Sequence, residues 1–385
     1  MTSQITKDVN NVYYDIVMQN ATSTLKPATF LEERNQDIIS KASDYQMSIV
    51  RFAIPGYTIP ITVVETLGID VSTLAYSVSL SRVGDVSGTL YQQQTYLQWV
   101  PESNIPTPGD FVDSTSPYSF QYYSLYNYQA FVNIVNTAFA TCFTLLAAQP
   151  LVGGDSAINS TSAPYIVYNP VTKLMTLVAQ QTYVNSVVAP ISIYMNQKLF
   201  FFFNSFNNTL IQNPTVSGGD VLIDFRYTYE NQPTTLQNAY TTPNVANTNP
   251  TANTPVYAIT QDYAVLYNWN SLKSIVFTTG LLPTRKEYTP SVDLTTGILN
   301  NTGAQNFLPI VTDFVPNTVD GTENRSTIIY NPSAEYRMVD LTSNEPIRKI
   351  QLSLYWQDAR LRLYPINIGA FDLVTVKMLF RRIRF

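Results

Sequence analysis

The feature that most limits what this chain can fold into is a two-residue rhythm. Val221, Ile223, Phe225, Tyr227 and Tyr229 alternate with Asp224, Arg226, Thr228 and Glu230. Successive side chains of a strand point to opposite faces, so this run predicts a strand with one apolar and one polar face. The rhythm recurs along the chain. Val12, Tyr14, Ile16 and Met18 share a face, and Tyr76, Val78 and Leu80 oppose Ser77, Ser79 and Ser81. Ile350, Leu352, Leu354 and Trp356 oppose Lys349, Gln351, Ser353 and Tyr355, and Val374, Val376, Met378 and Phe380 line the last strand. Tyr45 to Ile54 is a more continuous apolar run stopped by Pro55-Gly56, and Thr95 to Val100 reads as a further strand. Half-buried strands of this kind build antiparallel sheets, so the expected class is all-β.

One segment departs from the rhythm. From Asn127 to Ala147 the apolar residues Phe131, Val135, Ala138, Cys142 and Leu145 fall near helical spacing, no Gly or Pro intervenes, and Pro150 follows. This predicts one long helix. A hairpin is expected next, Tyr165–Tyr168 against Leu174–Val178, turning at Asn169-Pro170. Thr29 to Ser40 reads as a short helix. Leu199 to Phe203 reads as a buried strand or a covered edge. Asn231 to Pro255 and Tyr288 to Asn306 read as loops. More than ten strands exceed one eight-stranded jelly roll. The expected organisation is a discontinuous jelly-roll β-sandwich base, residues 1–100 and 216–385, with an inserted lobe over 101–215 that holds the helix near 127–147.

Composition removes most chemistries. The chain of 385 residues has no histidine and one cysteine, Cys142. Histidine catalysis, histidine-ligated metals, zinc fingers and internal disulfides are excluded. Carboxylate hydrolysis is the common enzyme chemistry left; it needs two placed acids, and no Asp-Thr-Gly or Asp-Ser-Gly occurs. Asp110 and Asp113 sit in a Pro-rich stretch. Gly153-Gly154-Asp155 and Gly218-Gly219-Asp220 lack the spacing of phosphate loops and read as turns. No EF-hand spacing appears for calcium. The reading is a non-enzyme with no catalytic, cofactor or metal residues.

Charged residues are only 13% of the chain, about half the usual ~25%. With 27 Tyr and 19 Phe, the polar surface is mostly uncharged and aromatic, a composition suited to contact. The aromatic run Tyr118, Phe120, Tyr122, Tyr123, Tyr126 and Tyr128 could stack bases or sugars, but no Lys or Arg is interleaved; subunit contact or core packing is favoured. Neither a signal peptide nor a membrane span is expected, the nearest apolar candidate being Phe131 to Ala148.

Charge is unevenly spread. Residues 337–385 hold nine Lys or Arg against four acids, a net +5, which leaves −10 for the rest of a chain whose net charge is −5. No Lys or Arg occurs from Val83 to Thr172. The basic end, Arg381, Arg382, Arg384 and Phe385, is the candidate assembly contact. It could touch phosphate, pair with the acidic surface of a neighbouring subunit, or guard an edge strand.

Several blocks carry a family resemblance: Ala42-Ser43-Asp44-Tyr45 with Ser48-Ile49-Val50-Arg51-Phe52; Trp269-Asn270 with Ser274-Ile275-Val276-Phe277; Leu308 to Phe314; Ile328 to Pro332; Tyr336 to Leu341; Leu354-Tyr355-Trp356; and Val376 to Arg382. Over the first 55 residues and about 265–385 the chain resembles the minor capsid, or penton, proteins of virophages and polinton-like viruses; the middle is unplaced. The resemblance implies a jelly-roll base with an insertion and five copies closing each icosahedral vertex of a DNA-virus shell. The neighbours it implies are trimers of a double-jelly-roll major capsid protein. It also implies a virion protein made in the host cytoplasm, without catalytic residues or cofactors. Contact of the basic end with genome or a neighbouring subunit is a further expectation. The rival readings are a major capsid protein with tandem jelly rolls, expected to be trimeric, and a receptor- or glycan-binding module, expected to bind glycans in isolation. A carboxylate hydrolase, the last rival, would turn over polysaccharide.

Overall fold

The computed structural model describes residues 10–22, 26–67, 72–100, 122–158, 162–180, 183, 190–223, 256–269, 272–285, 287–288, 307–316, 327–330, 337–358 and 363–383. The chain divides into two compact units: Met1–Pro60 with Ser271–Phe385, and Ile61–Asn270. The first unit is therefore discontinuous and the second is inserted into it.

The first unit is a sandwich of two antiparallel sheets. One has the order Asn11–Gln19, Leu373–Arg382, Tyr45–Pro55, Thr327–Tyr330, with Val339–Asp340 also on Tyr45–Pro55. The other runs Ile310–Phe314, Ser274–Thr278, Lys349–Gln357, Leu363–Pro365, with Thr29–Glu33 also on Lys349–Gln357. The alternation explains the layering. Tyr14, Ile16 and Met18 are buried while Tyr13, Asp15 and Val17 face outward. Ile350, Leu352, Leu354 and Trp356 are all buried on their strand. The inner faces meet through Phe52, whose ring lies 5.2 Å from Phe277 and 5.0 Å from Phe314. Val50 is the extra residue where the ladder between Leu373–Arg382 and Tyr45–Pro55 shifts, Lys377 facing Arg51 and Met378 facing Ile49. Such a bulge bends a strand and strengthens its twist.

The inserted unit is organised by the long helix, Tyr128–Ala147. Asn127 caps it, its side chain accepting from the Gln129 N–H at 2.8 Å. Phe131, Val135, Ala138, Phe139 and Cys142 are buried, and the helix packs on Leu90–Gln98, Thr73–Val83 and Tyr165–Tyr168. By length and composition this helix could cross a bilayer; half of its apolar window lies inside the unit. Around it lie a five-stranded sheet, in the order Asn208–Leu210, Val221–Ile223, Ser192–Met195, Thr73–Val83, Leu90–Gln98, and a three-stranded one, Val256–Thr260, Met175–Gln180, Tyr165–Tyr168. Tyr122–Leu125 pairs with Thr62–Glu65. Among its described residues this unit wraps sheets about a helix, unlike the two-sheet sandwich of the first unit.

Several expectations are corrected. The units part at 60/61 and 270/271, outside the expected 100/101 and 215/216, because Leu90–Gln98 pairs with Thr73–Val83, which in turn pairs with Ser192–Met195. Thr29 to Ser40 holds no helix: Thr29–Glu33 is a strand on Lys349–Gln357. A ladder partner gives each residue its hydrogen bonds without the nucleation cost of so short a helix. Leu199 to Phe203 is no strand: Gln197–Phe200 is helical and Phe201–Phe203 a 3-10 turn, started by Asn196, whose side chain accepts from the Leu199 N–H at 3.0 Å. The fourth strand begins earlier than Thr95, at Leu90. The strand expected from Val221 to Glu230 is seen as Val221–Ile223; its remainder, and most of the two expected loops, lie outside the described residues.

Candidate assembly surfaces

The basic end is built into the sandwich. Arg381 and Arg382 are the last residues of Leu373–Arg382, which pairs on both sides: Arg381 faces Asn11 on one neighbour and Gln46 on the other. A strand paired on both sides needs no guard, so the edge-strand reading of these arginines is set aside. Arg382 lies 3.8 Å from the Asp44 carboxylate, and its N–H donates to the Asn10 carbonyl at 2.8 Å. Arg381 is exposed and makes no ion pair among the described residues. Arg384 and Phe385 lie outside the described residues.

The basic terminal segment meets acids from the start of the chain. Arg348 pairs with Asp37 at 2.6 Å, Lys349 with Glu33 at 2.9 Å and Lys377 with Asp15 at 3.3 Å. Arg337 pairs with Asp313 at 3.0 Å. These pairs are largely exposed, so each contributes no more than about 1 kcal/mol. Their larger effect is to lower the net charge the segment presents to a partner.

The other singled-out residues are structural. Gly153 and Gly154 take φ values of 63° and 85°, which glycine adopts freely, and turn the chain so that Asp155 enters the loop 84–89. The Asp155 carboxylate accepts from the Val86 and Ser87 N–H groups at 2.9 and 2.7 Å, from the Ser87 hydroxyl, and from Tyr91 at 2.7 Å. The Ser87 hydroxyl and N–H hold it well below the usual carboxylate range. A Cβ at Gly84 would meet this carboxylate. Gly218 lies in the left-handed region in a second turn, and Asp220 accepts from the Gln197 N–H at 3.1 Å. Cys142 is buried, and burial pushes its thiol up to about 11, so it is unreactive. In the aromatic run, Tyr123 stacks on Trp99 at 4.6 Å and Tyr128 packs 5.3 Å from Trp269; Tyr118, Phe120, Asp110 and Asp113 lie outside the described residues. Among the described residues no cluster of three His, Cys, Asp or Glu could hold a metal.

Two residues invisible to sequence reasoning organise the strands. Asn136, buried in the helix, donates to the Ile166 carbonyl at 2.8 Å and accepts its N–H at 2.7 Å. It occupies the outer edge of Tyr165–Tyr168, which would otherwise be open. Phe371 is 80% exposed with φ 65°, at the turn before the last strand.

Comparison with known proteins places this architecture. Structural protein V19 of Sputnik virophage is 33% identical over 216 residues, 55% of this chain and 91% of V19. Protein V18 of the same virophage is 32% identical over 159 residues, 39% of this chain and 91% of V18. A chain in the cryo-EM structure of Sputnik virophage shares the fold with a TM-score of 0.73 and 31% identity, over 97% of this chain and 98% of that one. The mavirus penton protein shares the fold at 14% identity with a TM-score of 0.61, over 97% and 99% of the two chains. A family model, Sputnik minor capsid protein V18/19, matches residues 12–382. Carrying that match through both units and up to Arg382, the chain belongs to the Sputnik minor capsid protein V18/19 family.

Proposed function

We propose that this chain is a penton subunit of a DNA-virus shell. Five copies form a ring, each ring closes one icosahedral vertex, and its neighbours are trimers of a major capsid protein. The observation that carries the reading is the family match over residues 12–382, together with a fold shared along nearly the whole chain with the mavirus penton protein. The role is assembly, suited to a surface with few charges and many Tyr, Asn, Gln and Thr. The sandwich supplies the base, and the inserted unit, poor in positive charge, faces outward or plugs the vertex. Arg381, Arg382, Arg384 and Phe385 face the shell interior or an adjacent subunit.

The native mass of the purified full chain, with class averages of the same sample, tests the reading. A ring of five is expected; a trimer of pseudo-hexagonal outline would overturn it. For the basic end, deletion of 381–385 is a poor probe, because it also removes ladder pairs with Tyr45, Gln46 and Asn11. The change Arg381→Gln keeps the strand and removes the charge. Reduced incorporation into particles is expected, and full incorporation would remove Arg381 from the contact.

A further inference from the structure

An antiparallel sheet that faces water on one side should present polar residues there. The outward face of the sheet Asn11–Gln19, Leu373–Arg382, Tyr45–Pro55, Thr327–Tyr330 is polar over part of its length but is crossed by a mostly apolar row. One row across its four strands reads Val17, Thr375, Ala53, Ile329. Val17 is 54% exposed and Ile329 69%. Leu373, also outward, adds to this face, and Tyr13 lies further along the first strand. The next row reads Asp15, Lys377, Arg51: Lys377 pairs with Asp15, while Arg51 is exposed and makes no ion pair among the described residues.

Where the first strand ends and the last begins stands Phe371. The left-handed region is uncommon for a residue with a side chain and is held only where the surroundings fix it. Here the Phe371 N–H donates to the Asn20 carbonyl at 2.8 Å, and the buried Asn20 side chain donates to the Ile368 carbonyl at 2.8 Å. The Tyr57 hydroxyl donates to the next residue, Asp372. The turn thus holds an aromatic side chain in solvent, where it contributes little to the fold of its own copy.

We propose that this sheet face, with Phe371 at its rim, is the contact surface for a second copy of this chain. The proposal rests on the ring reading above and names the surface the ring uses. Size and charge favour a second copy. Three strands of nine residues or more, about 4.8 Å apart at about 3.3 Å per residue, and the four-residue Thr327–Tyr330 give a face of roughly 500 Å². That is below the ~800 Å² per partner of a stable interface until Phe371 and Tyr57 are added. Arg51, without an ion pair among the described residues, suits an acidic partner, and outside residues 337–385 this chain carries a net −10. A rigid exposed aromatic beside an aliphatic row has the make-up of an interface hot spot.

The test uses the full chain and two variants. Phe371→Gly removes the ring from a position whose backbone glycine prefers, so a purely structural role predicts equal or higher melting temperature and unchanged assembly. The contact role predicts an unchanged or higher melting temperature with assembly weakened by about tenfold or more in dissociation constant. Ile329→Cys places an accessible thiol in a chain whose one natural cysteine is buried. Its labelling is expected to slow by about tenfold or more in the assembled protein, as for a desolvated interface core. If wild type forms rings while Phe371→Gly assembles undiminished and the introduced thiol stays reactive, the surface is wrong and the ring reading stands. If the full chain stays monomeric at every concentration, both fail. Protection of the thiol only in whole particles, from a chain otherwise monomeric, would give the face to a different partner and overturn the second copy.

Discussion

The two units solve the same burial problem differently. In the sandwich, strands are wet on one face, so apolar and polar residues alternate and polar groups find water. In the inserted unit, Thr73–Val83 is buried from Leu74 to Arg82 and Met175–Gln180 throughout. Polar side chains on such strands must be satisfied inside. Gln94 donates to the Ser77 hydroxyl at 2.9 Å, the Ser79 hydroxyl donates to the Ser217 carbonyl at 2.6 Å, and the Thr176 and Thr260 hydroxyls meet at 3.0 Å. The sandwich is held mainly by its apolar interior, with buried polar groups such as Asn20 at its turns, and the inserted unit by an apolar interior plus a larger buried polar network on its strands. Damage should follow that division.

The largest effects are expected in the aromatic centres. Trp269 lies 5.1 Å from Phe131 and 5.0 Å from Phe202, and its indole N–H donates to the Phe202 carbonyl at 3.0 Å. Trp269→Ala should cost about 3–5 kcal/mol. Phe52→Ala in the sandwich falls in the same range but strands no hydrogen-bond partner, so it should be the milder of the two. Urea midpoints compare them, and hydrogen exchange locates them. Trp269→Ala should deprotect Tyr128–Ala147 first, and a uniform loss over both units would erase the contrast drawn here. Next is Asn136→Ala, which leaves the Ile166 N–H and carbonyl unpaired in the interior and should cost about 2–4 kcal/mol. A cost below about 1 kcal/mol would mean that the edge of Tyr165–Tyr168 does not need its clamp.

Asp155 sharpens the comparison through pH. Its carboxyl is held below its ordinary value by the hydrogen bonds of Ser87, Tyr91 and Val86. A group whose folded pKa is depressed adds stability above its unfolded pKa of about 4, and that stability fades as pH falls. Asp155→Asn should therefore melt below wild type at pH 7, with the gap narrowing on acidification below about pH 4. Melting curves across that range check it, and a gap that stays constant would show that packing, not charge, fixes the 84–89 loop.

How far this was legible follows from the same division. The sandwich strands Asn11–Gln19, Lys349–Gln357 and Leu373–Arg382 announce themselves because one wet face leaves a two-residue rhythm. The long helix is equally plain, since its Phe131–Val135–Ala138–Cys142 stripe faces one core. Ser77, Ser79 and Ser81 looked solvent-facing because a buried serine and a wet one are identical in sequence; the Gln94 partner comes from the adjoining strand and the Ser217 partner from a distant segment. Leu199 to Phe203 misled because five apolar residues in a row suggest a buried strand. The decisive spacing, Leu199, Phe202, Phe203 and Phe206, all buried, is helical and extends past the run. The family was legible from short apolar blocks, because most of those blocks lie on the paired strands of the sandwich. Phe371 was not, because a turn residue declares neither its backbone angle nor its exposure.

The smallest effect separates folding from assembly at the basic end. Arg382 and Asp44 are each about a third exposed and 3.8 Å apart, so their attraction is screened by water. The ladder contribution of Arg382 comes from its backbone, which a side-chain substitution keeps. Arg382→Gln should therefore change stability by less than about 1 kcal/mol. If the side chain serves contact with a neighbour or with phosphate, the same variant should still lower incorporation into particles, and the loss should grow with salt in wild type and be blunted in the variant. A larger loss of stability would instead make Arg382 part of the sandwich's own architecture, and would leave Arg381 as the described arginine of the basic end available to a partner.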